Sequence, residues 1–274
     1  MKTGRLGEHL PGLPVITLLT DFGTADYFTG ALKGVVLSLN SSAVIADITH
    51  EIPSHDIEAA AFILLASYRS FPDKTIHVAV VDPGVGSSRR PILVSGGGQF
   101  FVGPDNGIFS YIYESEPVHQ TIHLTAEQYF RHPVSATFHG RDIFAPVAAA
   151  LSKGIKPTSF GTVVTDEVRL EPLRPGIKGS KVLGRILHID RFGNCITNIN
   201  RENLSKEKEP MARLLVNGKT IKRFKTFFGE EQGRENIFAI WGSAGFLEIA
   251  AAKRSAAELL NAKRGQAVIL TVDP

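Results

Sequence analysis

The chain has 274 residues, 43% of them hydrophobic, and a net charge of +3, enough apolar content for one large or two modest cores. So small a charge, with no dense Lys/Arg run interleaved with aromatics, excludes a nucleic-acid partner. The single cysteine, Cys195, excludes an intramolecular disulfide framework and any cysteine-based zinc site, and fits a reducing cytoplasmic setting. No apolar stretch reaches bilayer-crossing length, so no membrane partner is expected.

Met1 to Pro14 lacks the apolar core of a secretory signal and is expected to be a disordered or extended lead-in (1–14). From Val15 to Gly154, short apolar strands alternate with helical patterns. Strands are expected at 15–20, 43–48, 75–81, 92–96 and 119–123, and helices near 27–39, 56–70, 107–113 and 141–153. That alternation predicts a sandwich-like α/β domain over 15–154, with a mostly parallel sheet covered on both faces. Asp56 caps a broadly apolar helix that should be core. Pro157, Pro172, Pro175, Gly176 and Gly179 break all periodicity, so 155–181 reads as a linker. Over 182–274, turn-spaced short strands and one helix at 253–262 predict a smaller C-terminal β-barrel domain. Its clearest hairpin is Leu214-Leu215-Val216, Asn217-Gly218, Lys219-Thr220-Ile221.

Four clusters carry chemistry. The apolar run 75–81 stops at Asp82-Pro83-Gly84-Val85-Gly86, with Arg89 and Arg90 following. Ligands of open α/β sheets bind beyond the carboxyl ends of strands, which is where Asp82 stands, and Arg89 can fold back onto it. A strand-ending turn with a surface ion pair is the plainer alternative. Asp21 occupies the tip of another apolar strand, before Phe22-Gly23, and can accept the hydroxyls of a ribose diol. Asp26 either shares that role or caps the following helix. His139, in Phe138-His139-Gly140-Arg141-Asp142, lies at a helix mouth that favours electron-rich ligand groups. Asp142 either caps that helix or pairs with Arg141. The fourth cluster, Asp190-Arg191-Phe192-Gly193-Asn194, offers an acid, an aromatic face and an amide. That set suits a flat heterocycle with an amine nearby, although the same residues make ordinary turns. Cys195 and Trp241 read as packing residues.

These motifs run in one order from about residue 15 to 272, with Asp47-Ile48-Thr49-His50, Gly103-Pro104-Asp105-Asn106-Gly107, Thr197-Asn198 and Gly242-Ser243-Ala244-Gly245 among them. In this the chain resembles the S-adenosyl-L-methionine (SAM) hydroxide adenosyltransferases, SAM hydrolases related to the fluorinase and chlorinase enzymes. The resemblance implies a homotrimer that binds SAM between the N-terminal domain of one subunit and the C-terminal domain of its neighbour. It implies attack of water or hydroxide at ribose C5′, giving adenosine and L-methionine, with SAM as substrate and no cofactor or metal. By motif position, Asp82, Arg89 and His139 handle the water. Asp82 and His139 are expected to orient it and take its proton, with Arg89 holding Asp82. Asp21 is expected at the ribose, and Asp190 at the methionine ammonium with Asp26 helping. Phe192 and Asn194 fall to adenine, Phe227 to the closure of that pocket and Ser243 to the carboxylate. Ala244 stands where the fluorinase has an arginine. The halogenating relatives carry other residues in place of Asp82 and the arginine, and the fluorinase has an inserted loop not evident here, which favours water over halide. Rival readings are a SAM-dependent halogenase, a non-catalytic SAM or adenosine sensor, and a metal-dependent phosphoesterase built on Asp21, Asp82, Asp105, His50, His55 and His139.

Overall fold

A computed structural model describes residues 12–229 and 237–272. The chain divides into two compact units that meet in sequence between Leu170 and Glu171. The expected lead-in lies almost entirely outside the described residues.

The first unit is built on seven strands: β1 (Val15–Thr20), β2 (Val44–Thr49), β3 (Ile76–Val80), β4 (Pro91–Gly96), β5 (Gln99–Pro104), β6 (His119–Leu124) and β7 (Gly161–Val164). They lie in the order β2-β1-β3-β5-β4-β6-β7. The pairs β2-β1, β1-β3 and β3-β5 are parallel, whereas β5-β4, β4-β6 and β6-β7 are antiparallel. The sheet is therefore mixed, and the mostly parallel expectation needs correcting. The reason is a hairpin missed in the sequence. Gly97 and Gly98 adopt φ of 57° and 77°, the two positive values that a tight two-residue turn needs, and they return the chain along β5. The expected linker also differs from its reading, because 161–164 is the edge strand β7 of this sheet.

Helices cover both faces. On one side α1 (Phe28–Leu39) and α4 (Ala145–Ser152) place Leu32, Val36, Val147, Ala148 and Leu151 against Ile16, Leu18, Val78 and Val80. On the other, α2 (Ile57–Ser67) and α3 (Ser110–Ser115) place Ala60, Leu64 and Ile112 against Ala79, Val81, Ile92 and Val94. Alternate residues of one strand thus feed opposite layers. Asp56 caps α2 by accepting from the Ala59 N–H at 3.0 Å. Among the described residues no helix is long and apolar enough to cross a membrane.

The second unit has nine strands: β8 (Gly176–Lys178), β9 (Lys181–Ile189), β10 (Cys195–Asn200), β11 (Ala212–Val216), β12 (Lys219–Ile221), β13 (Phe224–Lys225), β14 (Ile237–Trp241), β15 (Phe246–Ala251) and β16 (Ala267–Val272). Their order is β12-β11-β16-β9-β10-β15-β14-β13, with β8 beside β9. The sheet curls around Leu214, Cys195, Leu247, Ile249 and Leu270, and α5 (Ala256–Leu260) adds Ala256 and Leu260. Among the described strands the pairing runs from β12 to β13, so the sheet curls into a half-barrel, the coarser form of the barrel expected over 182–274. The Asn217-Gly218 hairpin forms as read. Cys195 is fully buried, and burial pushes its thiol up to about 11.

One buried polar group ties three strands of the first unit together. His77 on β3 has no exposed surface. Its Nδ1 meets the Thr17 hydroxyl of β1 at 2.7 Å, and its Nε2 lies 2.6 Å from Gln99 Oε1 on β5. Both contacts are satisfied by one neutral tautomer, with Nε2 donating and Nδ1 accepting. Phe101 stacks on the ring at 5.1 Å. Burial outweighs the Gln99 bond and pushes His77 down to about 4, from an ordinary 6.5. Below pH 6.5 the unfolded chain therefore takes up a proton that the native ring refuses. The stabilisation is complete above that pH and is lost as pH falls towards 4. Melting temperatures from pH 8 to 4 should show a steeper acid decline in wild type than in His77→Gln, although the variant is less stable at pH 8. Parallel declines would remove His77 as the cause.

Candidate active site

The parallel strands β2, β1 and β3 are neighbours, so their carboxyl ends lie along one edge, and Asp21 follows β1 as Asp82 follows β3. Asp21, Asp82 and His139 line one cleft of about 330 Å³, whose walls include Phe22, Phe28, Phe138, Ser54 and His55. The three phenylalanine rings sit 5.3 to 5.9 Å apart in tilted and edge contacts, giving the cleft an apolar side. Phe28 and Ser54 carry no local sequence signal for this position and join the cleft only through the fold. His55, a candidate metal ligand by sequence, instead contributes its backbone N–H to Asp21.

Arg89 organises the polar side. Its Nε lies 3.0 Å from both oxygens of Asp82, and Nη2 donates to Asp82 Oδ2. The same Nη2 is 2.7 Å from His139 Nδ1. The side chains of Arg89 and Asp82 are 9% and 5% exposed, so the pair is a sequestered one rather than the surface ion pair of the plainer reading. Phe144 lies under the guanidinium, 5.4 Å from ring centroid to Cζ. An arginine can only donate, so His139 Nδ1 must accept, and the ring proton resides on Nε2. Burial, then the Arg89 charge, lowers the His139 pKa below its ordinary value, which agrees with a neutral ring. His139 therefore offers the cleft a donor, and the expectation that it helps take a proton does not fit this tautomer. Asp82 Oδ1 accepts one bond from Arg89 and keeps a lone pair.

Two glycines make this approach possible. Gly86, at φ 78°, lies so close to the loop before His139 that a Cβ would stand 2.3 Å from the Ala136 carbonyl oxygen. Gly103 packs equally tightly on the Ala79 carbonyl, next to the strand end that carries Asp82. His139 itself precedes a single π-helical turn, Gly140–Phe144, that leads into α4. Asp142 neither caps that helix nor reaches the cleft. It is fully buried, and it accepts from Arg141, Arg131 and the Ser135 N–H. Burial raises its pKa, but those bonds outweigh it and the net shift is downward.

Asp21 is fixed from the β2–α2 loop, since Oδ2 accepts the His55 N–H at 2.9 Å. Asp26 is exposed and absent from the cleft, and Tyr27 rather than Asp26 occupies the cap position of α1. Of the phosphoesterase set, only Asp21, Asp82, His55 and His139 share the cleft. His50 is bonded to Thr20, and Asp105 to Arg90 and the Val168 N–H. Among the described residues no group of three His, Cys, Asp or Glu side chains is placed to hold a metal.

In the second unit, the turn between β9 and β10 presents Phe192 and Asn194 beside Phe228, Ala252 and Lys253 in a shallow pocket. Phe192 is 78% exposed, an open face for a planar ring. Asp190 holds the turn in shape by accepting the Phe192 and Asn194 N–H groups and the Asn194 amide. Gly193 rests on Ser255 at the start of α5, and its carbonyl accepts the Ala257 N–H. Phe227 and its neighbour Phe228 are both exposed, and Phe228 is the one that lines this pocket. Ser243 is exposed in the β14–β15 turn. Trp241 is a packing residue, bonded to Glu209 and covered by Arg201.

Two family models match in order. Residues 16–161 match the SAM hydroxide adenosyltransferase N-terminal domain, and 184–269 match its C-terminal domain. A protein of Methanocaldococcus jannaschii named (R)-S-adenosyl-L-methionine hydrolase is 36% identical over 91% of this chain and 92% of its own length. One of the same name from Thermus thermophilus is 33% identical over 93% of this chain and 98% of its own length. A fluorinase of an Actinoplanes species is 26% identical over 95% and 98%. The crystal structure of an uncharacterized conserved protein from Thermotoga maritima superposes with a TM-score of 0.87 at 35% identity, covering 93% of this chain and 99% of that one. With both domain models matched and these relatives covered nearly end to end, the chain belongs to the SAM hydroxide adenosyltransferase family.

Proposed function

We propose that the protein hydrolyses SAM to adenosine and L-methionine, without metal or cofactor. The observation that carries this reading is the Asp82–Arg89–His139 constellation at a strand-tip cleft, in a chain 33 to 36% identical to proteins named for SAM hydrolysis. The sulfonium of SAM makes methionine a neutral leaving group, so no general acid is needed. The water oxygen forms a bond to C5′, the C5′–S bond breaks, and its electron pair stays on sulfur. Asp82 accepts a hydrogen bond from the attacking water and draws off its proton, while the Nε2–H of His139 fixes the oxygen. Arg89 holds both groups in place. Alignment of this kind supplies roughly 7–11 kcal/mol in the best intramolecular models.

Asp21 takes the ribose diol, Phe192 and Asn194 the adenine, Asp190 the ammonium and Ser243 the carboxylate. Asp26 has no geometric support in this role. The reading includes a cytoplasmic homotrimer in which neighbouring subunits complete each site, and the family resemblance is its support. A halide would meet the Asp82 carboxylate at the attacking position, which favours water.

Incubation with SAM and a chelator should yield adenosine and methionine, with negligible 5′-chloro-5′-deoxyadenosine in molar chloride. Activity only after metal is added, or chloride-dependent halogenated product, would reverse the assignment; absence of turnover with intact binding would favour a sensor.

Asp82→Ala, Arg89→Met and His139→Ala should each lower kcat by about 10²-fold or more with smaller changes in KM, the pattern of groups acting in the transition state. The pH profile supplies a sign. His139 stays neutral below the ordinary 6.5, so the acid limb of kcat/KM should lie below that value in wild type. Arg89→Met removes one of the two causes, and its residual limb should move up towards 6.5. A limb that stays put would detach His139 from Arg89.

Asp21→Ala should raise KM for SAM by roughly tenfold or more, the worth of a charged hydrogen-bond acceptor. It should also discriminate less than wild type against 2′-deoxy SAM. Equal discrimination would take Asp21 off the ribose.

A further inference from the structure

Glu248 is the buried carboxylate that nothing in the second unit explains. It lies in the middle of β15 and is 9% exposed. Burial, then the charge of Asp190, raises its pKa, and no hydrogen bond or cation opposes them. Among the described residues it has neither a hydrogen-bond donor nor an ion-pair partner. Every other nearly buried carboxylate considered above has donors: Asp82 has Arg89, Asp105 has Arg90 and a backbone N–H, and Asp142 has two arginines and a backbone N–H.

The register shows where Glu248 points. Ile189, Cys195, Ile249 and Ala239 pair across four neighbouring strands and belong to the inner core. Their sequence neighbours His188, Ile196, Glu248 and Ile240 pair in the same way and must face the opposite side. At the end of β9, two residues after His188, stands Asp190, whose charge reaches Glu248. On the next strand but one, the Glu248 carboxyl lies flat on Gly242: a Cβ there would be 1.7 Å from Oε1. Gly242 begins the turn that presents Ser243. Glu248 thus sits between the two residues expected to hold the amino-acid end of SAM, and the Asp190 carboxylate is already engaged by its own turn.

We propose that Glu248 binds the α-ammonium of the substrate's methionine moiety, sharing it with Asp190. The inference rests on the SAM-hydrolase reading above. An ammonium brings three N–H donors and a positive charge, neither of which Glu248 receives from the described residues. Gly242 is the companion requirement, because any side chain there would displace the carboxyl. Ala244 removes no part of this arrangement.

The test compares wild type, Glu248→Gln and Glu248→Leu on SAM and on the SAM analogue with hydrogen in place of the α-amino group. Adenosine release gives KM and kcat, and thermal melting is followed without substrate. Wild type should favour SAM over the des-amino analogue in KM by roughly tenfold or more, the scale of one charge-assisted hydrogen bond. Both variants should lose that preference through a higher KM for SAM, with KM for the analogue and kcat little changed. Removing a buried carboxylate that has no partner should also raise the melting temperature of Glu248→Leu, by about 2–4 °C for a chain of this size. A structural role predicts the opposite sign. Wild type that forms no adenosine from SAM would overturn the hydrolase reading, and this inference with it. Adenosine formation with the SAM preference intact in both variants would overturn the assignment of Glu248 alone.

Discussion

The Arg89 guanidinium is the constraint on which the candidate site depends. One planar fork sets the plane of a carboxylate and the tautomer of an imidazole that lies 50 residues away in sequence. Hydrogen bonds to charged groups contribute roughly 1.5–3 kcal/mol each when formed, and more is lost when one partner is left buried alone. A lysine could neutralise Asp82 but could not hold Nε and Nη2 contacts to two groups at fixed angles. The surroundings serve that geometry. Phe144 backs the guanidinium, and Gly86 lets the Asp82–Arg89 loop close against the backbone before His139.

Strand direction explains why these groups meet. Parallel neighbours deliver all their carboxyl ends to one edge, so residues that follow β1 and β3 converge despite some sixty positions between Asp21 and Asp82. The antiparallel half of the sheet does different work. β5 returns the chain along β4 and so brings Asp105 to Arg90, anchoring the far side of the segment that carries Arg89.

Much of this was legible in the sequence because it rests on local signals. Apolar runs ending in an acid and a glycine mark strand tips, and Asp21 and Asp82 both stand at the edge of the cleft. The hairpin through Gly97 and Gly98 carried an equally local signal that went unread, and with it the mixed character of the sheet. Other features were beyond the sequence. The tautomer of His139 depends on which nitrogen Arg89 reaches, a matter of tertiary placement. Which of Phe227 and Phe228 lines the pocket is set by the bend and turn that follow β13, again a matter of tertiary placement. Glu248, in Phe246-Leu247-Glu248-Ile249, has the pattern of a strand with one wet face. Only cross-strand register shows that its neighbours Ile196 and Ile240 on that face are buried as well.

The contrast between Asp142 and Glu248 separates two uses of a buried acid. Asp142 is wholly enclosed, with two arginines and a backbone N–H upon it, and its net pKa shift is downward. Such a group is finished: it fixes the loop before His139 and needs nothing from solution. Glu248 is nearly as enclosed, yet its shift is upward and a second carboxylate lies within electrostatic reach. Folding gains nothing from that arrangement, since a similarly shaped neutral side chain would avoid both the desolvation and the repulsion. An ammonium placed between Glu248 and Asp190 would offset both effects. SAM carries an ammonium at the end where Glu248, Asp190 and Ser243 are gathered, and its sulfonium leaves that ammonium as the group able to donate hydrogen bonds to a carboxylate.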